Sequence, residues 1–233
     1  FPHLRPESPL PSSKGCPEDC GPCTSHLRHA TLVEIEVTQH CNQRCQVCFM
    51  SAESEPAAIP SDPSLEELAG IYRSILTKTG PQTSIQLTGG EPTVRADLPE
   101  IIRLGREIGF EAIEINTNGV VLGQDPNFAL HLFDAGVSGI YLQFDGLTGN
   151  VYKKIRGKNL LGDKLNAIEN CRAAGVQVVL AMTVIAGVNQ DQMGDVLRFA
   201  LQNRDVIAGI AYQPAFGSGR FDLSAERKLT MGD

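Results

Sequence analysis

Several features that would assign this chain to a class at once are missing from it. No run of Lys or Arg exceeds two residues and the formal net charge is −7. That argues against a nucleic-acid backbone as the main partner and leaves room only for a local basic pocket. No apolar stretch is long enough to span a bilayer: the longest, VQVVLAMTVIAGV (176–188), is interrupted by Gln177 and Thr183. The opening FPHLRPESPLPSSK lacks the basic-then-apolar order of a secretory signal, so a cytoplasmic location is the default expectation. Phe1 stands where an initiator Met would, and residues are expected to precede it. No internal repeat is evident. Low-complexity character is confined to the Pro/Ser-rich leader and SAESEPAAIPSDP (51–63).

What the chain does have is an unusual arrangement of cysteine. Six of its seven cysteines fall in two copies of Cys-x3-Cys-x2-Cys, first as Cys16, Cys20 and Cys23 and then as Cys41, Cys45 and Cys48. Three thiols within eight residues cannot all pair locally, and nothing argues for secretion, so metal or cluster ligation is the better reading. The seventh, Cys171, lies on a helical stretch on the face of Leu165 and Ile168, which suits a buried free thiol. His3, His29 and His131 have no partners at ligand spacing, while His40 adjoins Cys41.

The 233 residues are enough for one full core and an appendage. From residue 31, β-branched apolar runs at 31–38, 83–89, 111–117, 138–145, 176–185 and 206–214 read as strands. Segments of helical period fill the gaps at 63–80, 97–109, 125–136, 160–175 and 189–203. In the first, Leu65, Leu68, Ile71, Tyr72 and Ile75 form one apolar face. Gly80, Gly109, Gly136 and Gly175 end four of the helices, as left-handed caps would. Strand and helix alternating about every 30 residues imply right-handed βαβ units and a parallel sheet. Six strands fit a partial (β/α)6 TIM-like barrel or an open doubly wound sheet. Both place chemistry at the C-terminal ends of the strands.

Cys41, Cys45 and Cys48 sit at such an end, directly after the first strand. Three thiolates can hold three irons of a [4Fe–4S] cube, where the usual protein set supplies four; the fourth iron is then open to an exogenous chelator. This loop, followed by TGGEPT (88–93), NTNG (116–119), LQFDG (142–146) and TVIAGVN (183–189) on successive strand ends, resembles the radical S-adenosylmethionine (SAM) superfamily across residues 31–214. The resemblance implies a partial (β/α)6 barrel and an enzyme that reductively cleaves SAM to a 5′-deoxyadenosyl radical, which takes hydrogen from the substrate. No Ser/His/Asp-like constellation is needed for that step, and none is present. The resemblance further implies that Gly89, Gly90 and Glu91 meet the SAM amino group and that Asn116, Thr117 and Asn118 lie beside SAM. Gln143 would contact its carboxylate or ribose, with Asp145, Thr183 and Asn189 as further polar contacts. Glycines allow close approach of backbone carbonyls to an ammonium, and an acidic neighbour suits its charge. Phe49 would shield the cluster, pack on adenine or simply join the core.

The first triplet admits two readings. With His26 it makes a Cys3His zinc site of tolerable spacing; alternatively it holds an auxiliary iron–sulfur cluster, which the identical spacing and the oxygen-sensitive chemistry favour. The order CPEDCGPCTSH, spacer, LVEIEVTQHCNQRCQVCFM, together with QPAFGSGRF and RKLTMGD, resembles the subgroup of tetraether lipid synthase and class D radical SAM methylases. That resemblance implies carbon–carbon bond formation or methylation on a lipid or pterin-like substrate, with flavodoxin or ferredoxin as electron donor. The implied organisation is a cysteine-rich cap at 1–30, a core at 31–214, and at 215–233 the start of a further region, in which GSGR (217–220) is a loop or an anion site. Other branches of the superfamily, the peptide-modifying enzymes and the cyclase of molybdenum-cofactor synthesis, carry auxiliary cysteines after the barrel. A non-catalytic iron–sulfur or zinc scaffold is the alternative from outside catalysis.

Overall fold

A strand of alternating apolar and polar residues, β1 (Leu32–Thr38), begins the folded core and stops where the cysteine loop starts. The computed structural model describes residues 30–50, 61–215 and 219–222. After the two-residue β2 (Val47–Cys48) come α1 (Leu65–Thr79), β3 (Ser84–Gly89), α2 (Leu98–Ile108) and β4 (Ile113–Thr117). Two short helices, α3 (Val120–Gln124) and α4 (Phe128–Asp134), precede β5 (Gly139–Gln143). They are followed by α5 (Gly149–Arg156), α6 (Leu161–Ala174), β6 (Val178–Val184), α7 (Met193–Gln202), β7 (Ile207–Pro214) and β8 (Arg220–Phe221).

The main sheet is parallel throughout, in the order β1-β3-β4-β5-β6-β7, with β2 and β8 forming a separate antiparallel pair. That order decides between the two expected architectures. In a doubly wound sheet the strand order reverses at a switch point. Here each strand adds beside its predecessor without reversal, and uniformly right-handed crossovers then place every helix on one face. The sheet curls as a six-stranded partial barrel.

The helix-facing residues of the strands, among them Ile85, Leu87, Ile113, Ile115, Ile140 and Leu142, are at most 2% exposed and pack on Leu68, Tyr72, Ile101 and Ile102. Burial of each such side chain stabilises by about 1.5–3 kcal/mol. The alternate residues line the concave face; those of β3, β4 and β5 are mostly polar, while β6 adds Val179 and Ala181. Gln86 donates to Glu114 at 3.2 Å and Gln213 donates to the Tyr141 hydroxyl at 3.1 Å.

All six expected strands and all five expected helices form, with ends trimmed by up to four residues. Within α1 the apolar face is narrower than its spacing suggests: Leu68 and Tyr72 are fully buried, whereas Leu65 and Ile71 are 39% and 41% exposed. All four helix-terminal glycines have positive φ, but of the three that act as helix caps only Gly175 adopts the left-handed helical conformation. The short helices α3 and α5 and the β2–β8 pair were not expected.

Candidate active site

The cysteine loop is anchored at both ends. At its start, Gly90 N–H donates to Thr38 O at 2.7 Å and Glu91 N–H to His40 O at 2.8 Å, fastening the end of β3 to the end of β1. This close approach is what the Gly-Gly pair makes possible. A Cβ on Gly89, whose φ is +135°, would sit 2.0 Å from Thr38 O, and one on Gly90 would sit 2.2 Å from His40 O. The glycines therefore admit a neighbouring strand, a constraint present before any ligand arrives. His40 contributes through its backbone.

At the far end of the loop, Gln46 N–H donates to Ile155 O at 3.1 Å, and Arg156 Nη1 donates to Val47 O at 3.1 Å. Arg220 Nε donates to Cys45 O at 2.6 Å. Val47 packs with Val151, Ile155 and Ile185 in a small apolar cluster of its own. Helix α5 and strand β8 thus hold the second half of the loop.

Between these anchors lies a cavity of about 510 Å³ at the C-terminal ends of the strands. Cys41, Cys45 and Cys48 line it, as do Gly89, Gly90 and Glu91. Asn116, Thr117, Asn118, Gln143 and Thr183 complete the expected set on its wall. Asp145 and Asn189 do not line it. Asn189 is fully buried and spends its carboxamide on backbone, accepting from Ile185 N–H at 2.8 Å and donating to Asp145 O and Thr183 O, each at 2.8 Å. It shapes the turn after β6 from beneath. Phe49 is 63% exposed and lies on the cavity wall, which removes it from the core. Cys171 is 1% exposed, and burial pushes its thiol up to about 12, as befits an inert core cysteine. Cys16, Cys20, Cys23, His26, His3 and His29 lie outside the described residues, as do Gly217 and Ser218 of GSGR.

Glu91 is the hub of the wall. It is 1% exposed, and its Oε1 accepts from Thr93 N–H at 3.1 Å, Thr93 Oγ1 at 2.6 Å and Thr117 Oγ1 at 2.5 Å. Its Oε2 accepts from Asn118 N–H at 2.6 Å. Four donors satisfy the carboxylate from within, so its first task is to tie β3 to the NTNG segment after β4. Asn118 in turn donates to Asn42 Oδ1 at 2.8 Å, which reaches back to the cysteine loop.

A second buried layer lies under Gln143. Asp145 is fully buried and receives Arg156 in a two-point pair at 2.7 and 3.0 Å, and it also accepts from Gln143 Nε2. Burial works against the Arg156 charge, but Asp145 outweighs it and holds the guanidinium pKa above its ordinary value. Lys164, on α6, is fully buried. It donates to Gln143 Oε1 at 2.7 Å and to Asn118 O, and its ammonium lies 5.9 Å from the Tyr152 ring centroid. Burial lowers its pKa to about 8. Lys164 and Arg156 are the charged members of the site that the sequence reading passed over.

The donor set fits an iron–sulfur cluster. The three loop cysteines are free thiols, and burial pushes Cys41 up to about 11, a proton that metal must displace. No three His, Cys, Asp or Glu side chains among the described residues converge on one ion-sized point. Thiols spread along a cavity wall suit a group with several metal atoms better than a single ion. Gln43, inside the loop, also has a buried amide nitrogen with no acceptor among the described residues.

The sequence model of the Radical SAM superfamily matches residues 35–200. The chain belongs to the radical SAM superfamily. It is 41% identical over 222 residues to the 7,8-dihydro-6-hydroxymethylpterin dimethyltransferase of Methanocaldococcus jannaschii, covering 94% of this chain and 43% of that protein. It is 32% identical over 173 residues to a probable GTP 3′,8-cyclase of Archaeoglobus fulgidus, covering 74% of this chain and 55% of the relative. The chain thus spans about half the length of these relatives. Among solved structures, the FeFe-hydrogenase maturase HydG of Carboxydothermus hydrogenoformans superposes with a TM-score of 0.71 at 17% identity, over 85% of this chain and 48% of that one. Methylornithine synthase superposes at 0.63 and 16%, over 86% and 58%. These neighbours share the fold. Membership brings with it a [4Fe–4S] cluster and SAM, and makes the chain part of an enzyme. No described helix is long and apolar enough to cross a membrane.

Proposed function

We propose that this chain is the SAM-cleaving core of a methylase acting on a reduced pterin. The observation that carries the reading is the 41% identity to a pterin dimethyltransferase across 94% of the chain. The polar groups on the cavity wall support it, because Tyr141 and Gln213 suit a heterocycle rich in hydrogen-bonding edges better than a lipid chain. Cys41, Cys45 and Cys48 would hold the cluster, which when bound supplies the electron for SAM cleavage. The chain's own residues orient SAM and exclude water. Gly89 and Gly90 keep the wall thin beside the loop, while Gln143 and Thr183 present polar groups from β5 and β6. Lys164 and Asp145 fix the Gln143 carboxamide by opposite ends. Asp145 and Asn189 support this arrangement from below.

The N-terminal triplet belongs to the same reading. Cys16, Cys20 and Cys23 would hold an auxiliary iron–sulfur cluster in a cap at residues 1–30, with His26 or a group outside the chain as fourth ligand. A structural zinc is the competing occupant, and metal analysis separates them. Two clusters bring about eight irons per chain, as two cubes require, whereas one cube leaves four irons beside a zinc. A low-potential donor of the flavodoxin or ferredoxin type, acting in the cytoplasm, completes the cycle.

The decisive experiment is anaerobic incubation of reconstituted protein with dithionite, SAM and 7,8-dihydro-6-hydroxymethylpterin, followed by mass spectrometry. The reading expects a pterin heavier by one or two methyl groups; unchanged pterin beside continuing SAM cleavage would contradict it. The GTP cyclase relatives support a second reading, since guanine and pterin share the same 2-amino-4-oxopyrimidine ring. Consumption of GTP in the parallel incubation would favour that one.

A further inference from the structure

Gln43 lies between the first two cysteines of the loop and is 6% exposed, on the wall of the cavity. Its Oε1 accepts the Cys45 S–H at 3.3 Å. Its Nε2 is buried without a hydrogen-bond partner among the described residues. Leaving a buried amide donor without a partner is costly, and folded chains leave few of them. A residue with no use for polarity at this position could as well have been leucine.

Loading the loop changes what surrounds this carboxamide. Cys45 must give up its proton to bind iron, so its sulfur stops donating and becomes an electron-rich acceptor. The bond that now runs from Cys45 to Gln43 Oε1 then disappears. The terminal torsion of a glutamine is broad and roughly two-fold, so the amide turns over without moving the backbone. Its nitrogen, unpartnered in the thiol form, then meets an acceptor.

We propose that Gln43 donates an N–H···S hydrogen bond to the Cys45 side of the loaded cluster and so raises its reduction potential. A donor aimed at a ligand sulfur withdraws charge, which favours the more negative, reduced state. Arg156 acts in the same sense, because its guanidinium also lies within hydrogen-bonding reach of the Cys45 side chain. Its charge is largely matched by Asp145, and the Gln43 amide is a second, neutral donor that can be removed without unpairing a buried carboxylate. The inference rests on the reading of this loop as the cluster site.

The test is an EPR-monitored redox titration of the iron-loaded full chain, followed on the signal that changes when SAM is added. Two substitutions are compared with wild type: Gln43→Leu, of similar volume without polarity, and Gln43→Glu, of the same shape without a donor. Both should lower the midpoint potential. For Gln43→Leu the ratio of reduced to oxidised cluster at a fixed potential should fall about tenfold, which is 59 mV for one electron. Wild-type potential in Gln43→Leu overturns the proposal, including the case where only Gln43→Glu shifts, since that would be an effect of added charge. A readout independent of both variants is electron–nuclear double resonance on wild type carrying glutamine labelled with ¹⁵N in its side chain. Coupling to that nitrogen is expected, and its absence refutes the bond even if neither variant retains iron. Failure of the underlying reading looks different: replacing Cys41, Cys45 and Cys48 together would leave iron content unchanged.

Discussion

Replacing Glu91 by Ala separates two roles that one carboxylate could have. The side chain is 1% exposed and accepts four hydrogen bonds, from Thr93 N–H and Oγ1, Thr117 Oγ1 and Asn118 N–H. After truncation the two threonine hydroxyls can turn to other acceptors, but the two backbone N–H groups cannot. Each orphaned donor costs about 1–3 kcal/mol. Relief of the carboxylate's own burial returns part of this, which leaves a net loss of about 3 kcal/mol. For a chain of this size 1 kcal/mol lowers Tm by about 2–4 °C, so the expected drop is about 6–12 °C. Thermal unfolding followed by circular dichroism, on metal-free protein under reducing conditions, measures it without involving SAM. SAM affinity measured on reconstituted protein should also fall, because the NTNG segment loses its tie to β3. A Tm within about 2 °C of wild type, with SAM binding nonetheless lost, would refute this account: the carboxylate would then be meeting the ligand and not its neighbours.

Arg156→Ala leaves Asp145 fully buried without its cation, and stability in urea should fall by about 3–5 kcal/mol. A loss under 1 kcal/mol would mean that water or another group takes over the charge. Lys164 offers a pH test. Its folded pKa of about 8 lies below its ordinary 10.5, so between those values the unfolded chain binds more protons and stability rises with pH. The cost of the buried charge is present in full below pH 8 and fades towards 10.5. Lys164→Met should therefore gain less than wild type in Tm between pH 8 and 10, and parallel curves for the two proteins would contradict the assignment. Replacing Cys16, Cys20 and Cys23 should leave uncoupled SAM cleavage measurable while methylated product fails to form. Equal product from that variant would remove the first triplet from catalysis.

The barrel was legible because its signals are local and repeated. Apolar runs of strand length alternate with helical period at even spacing, and the loop motifs fall on consecutive strand ends. What escaped depends on partners distant in sequence. GNVYKKIR, which opens on Gly149, is followed by Gly157 and has three cations in eight residues, shows little helical period, yet Val151, Tyr152 and Ile155 are buried as one face and Arg156 ends the helix inside the protein. Lys164 reads as a solvated lysine on α6. Only the packing of α3 and α4 over that helix shows that it points inward. The β2–β8 pair joins residues far apart in the chain, and no local pattern announces it. Asp145 and Asn189 belong to the family's motifs, but motif membership does not distinguish a wall of the cavity from the layer that supports it.

The central claim is that the loop after β1 holds the cluster at which SAM is cleaved. Its most direct test is 5′-deoxyadenosine formation from SAM, under anaerobic conditions with dithionite, in reconstituted wild type and in a Cys41→Ala, Cys45→Ala, Cys48→Ala variant. The account predicts 5′-deoxyadenosine from wild type and none from the variant, with about four fewer irons bound per chain, one cube's worth. Undiminished 5′-deoxyadenosine formation by the variant would contradict it.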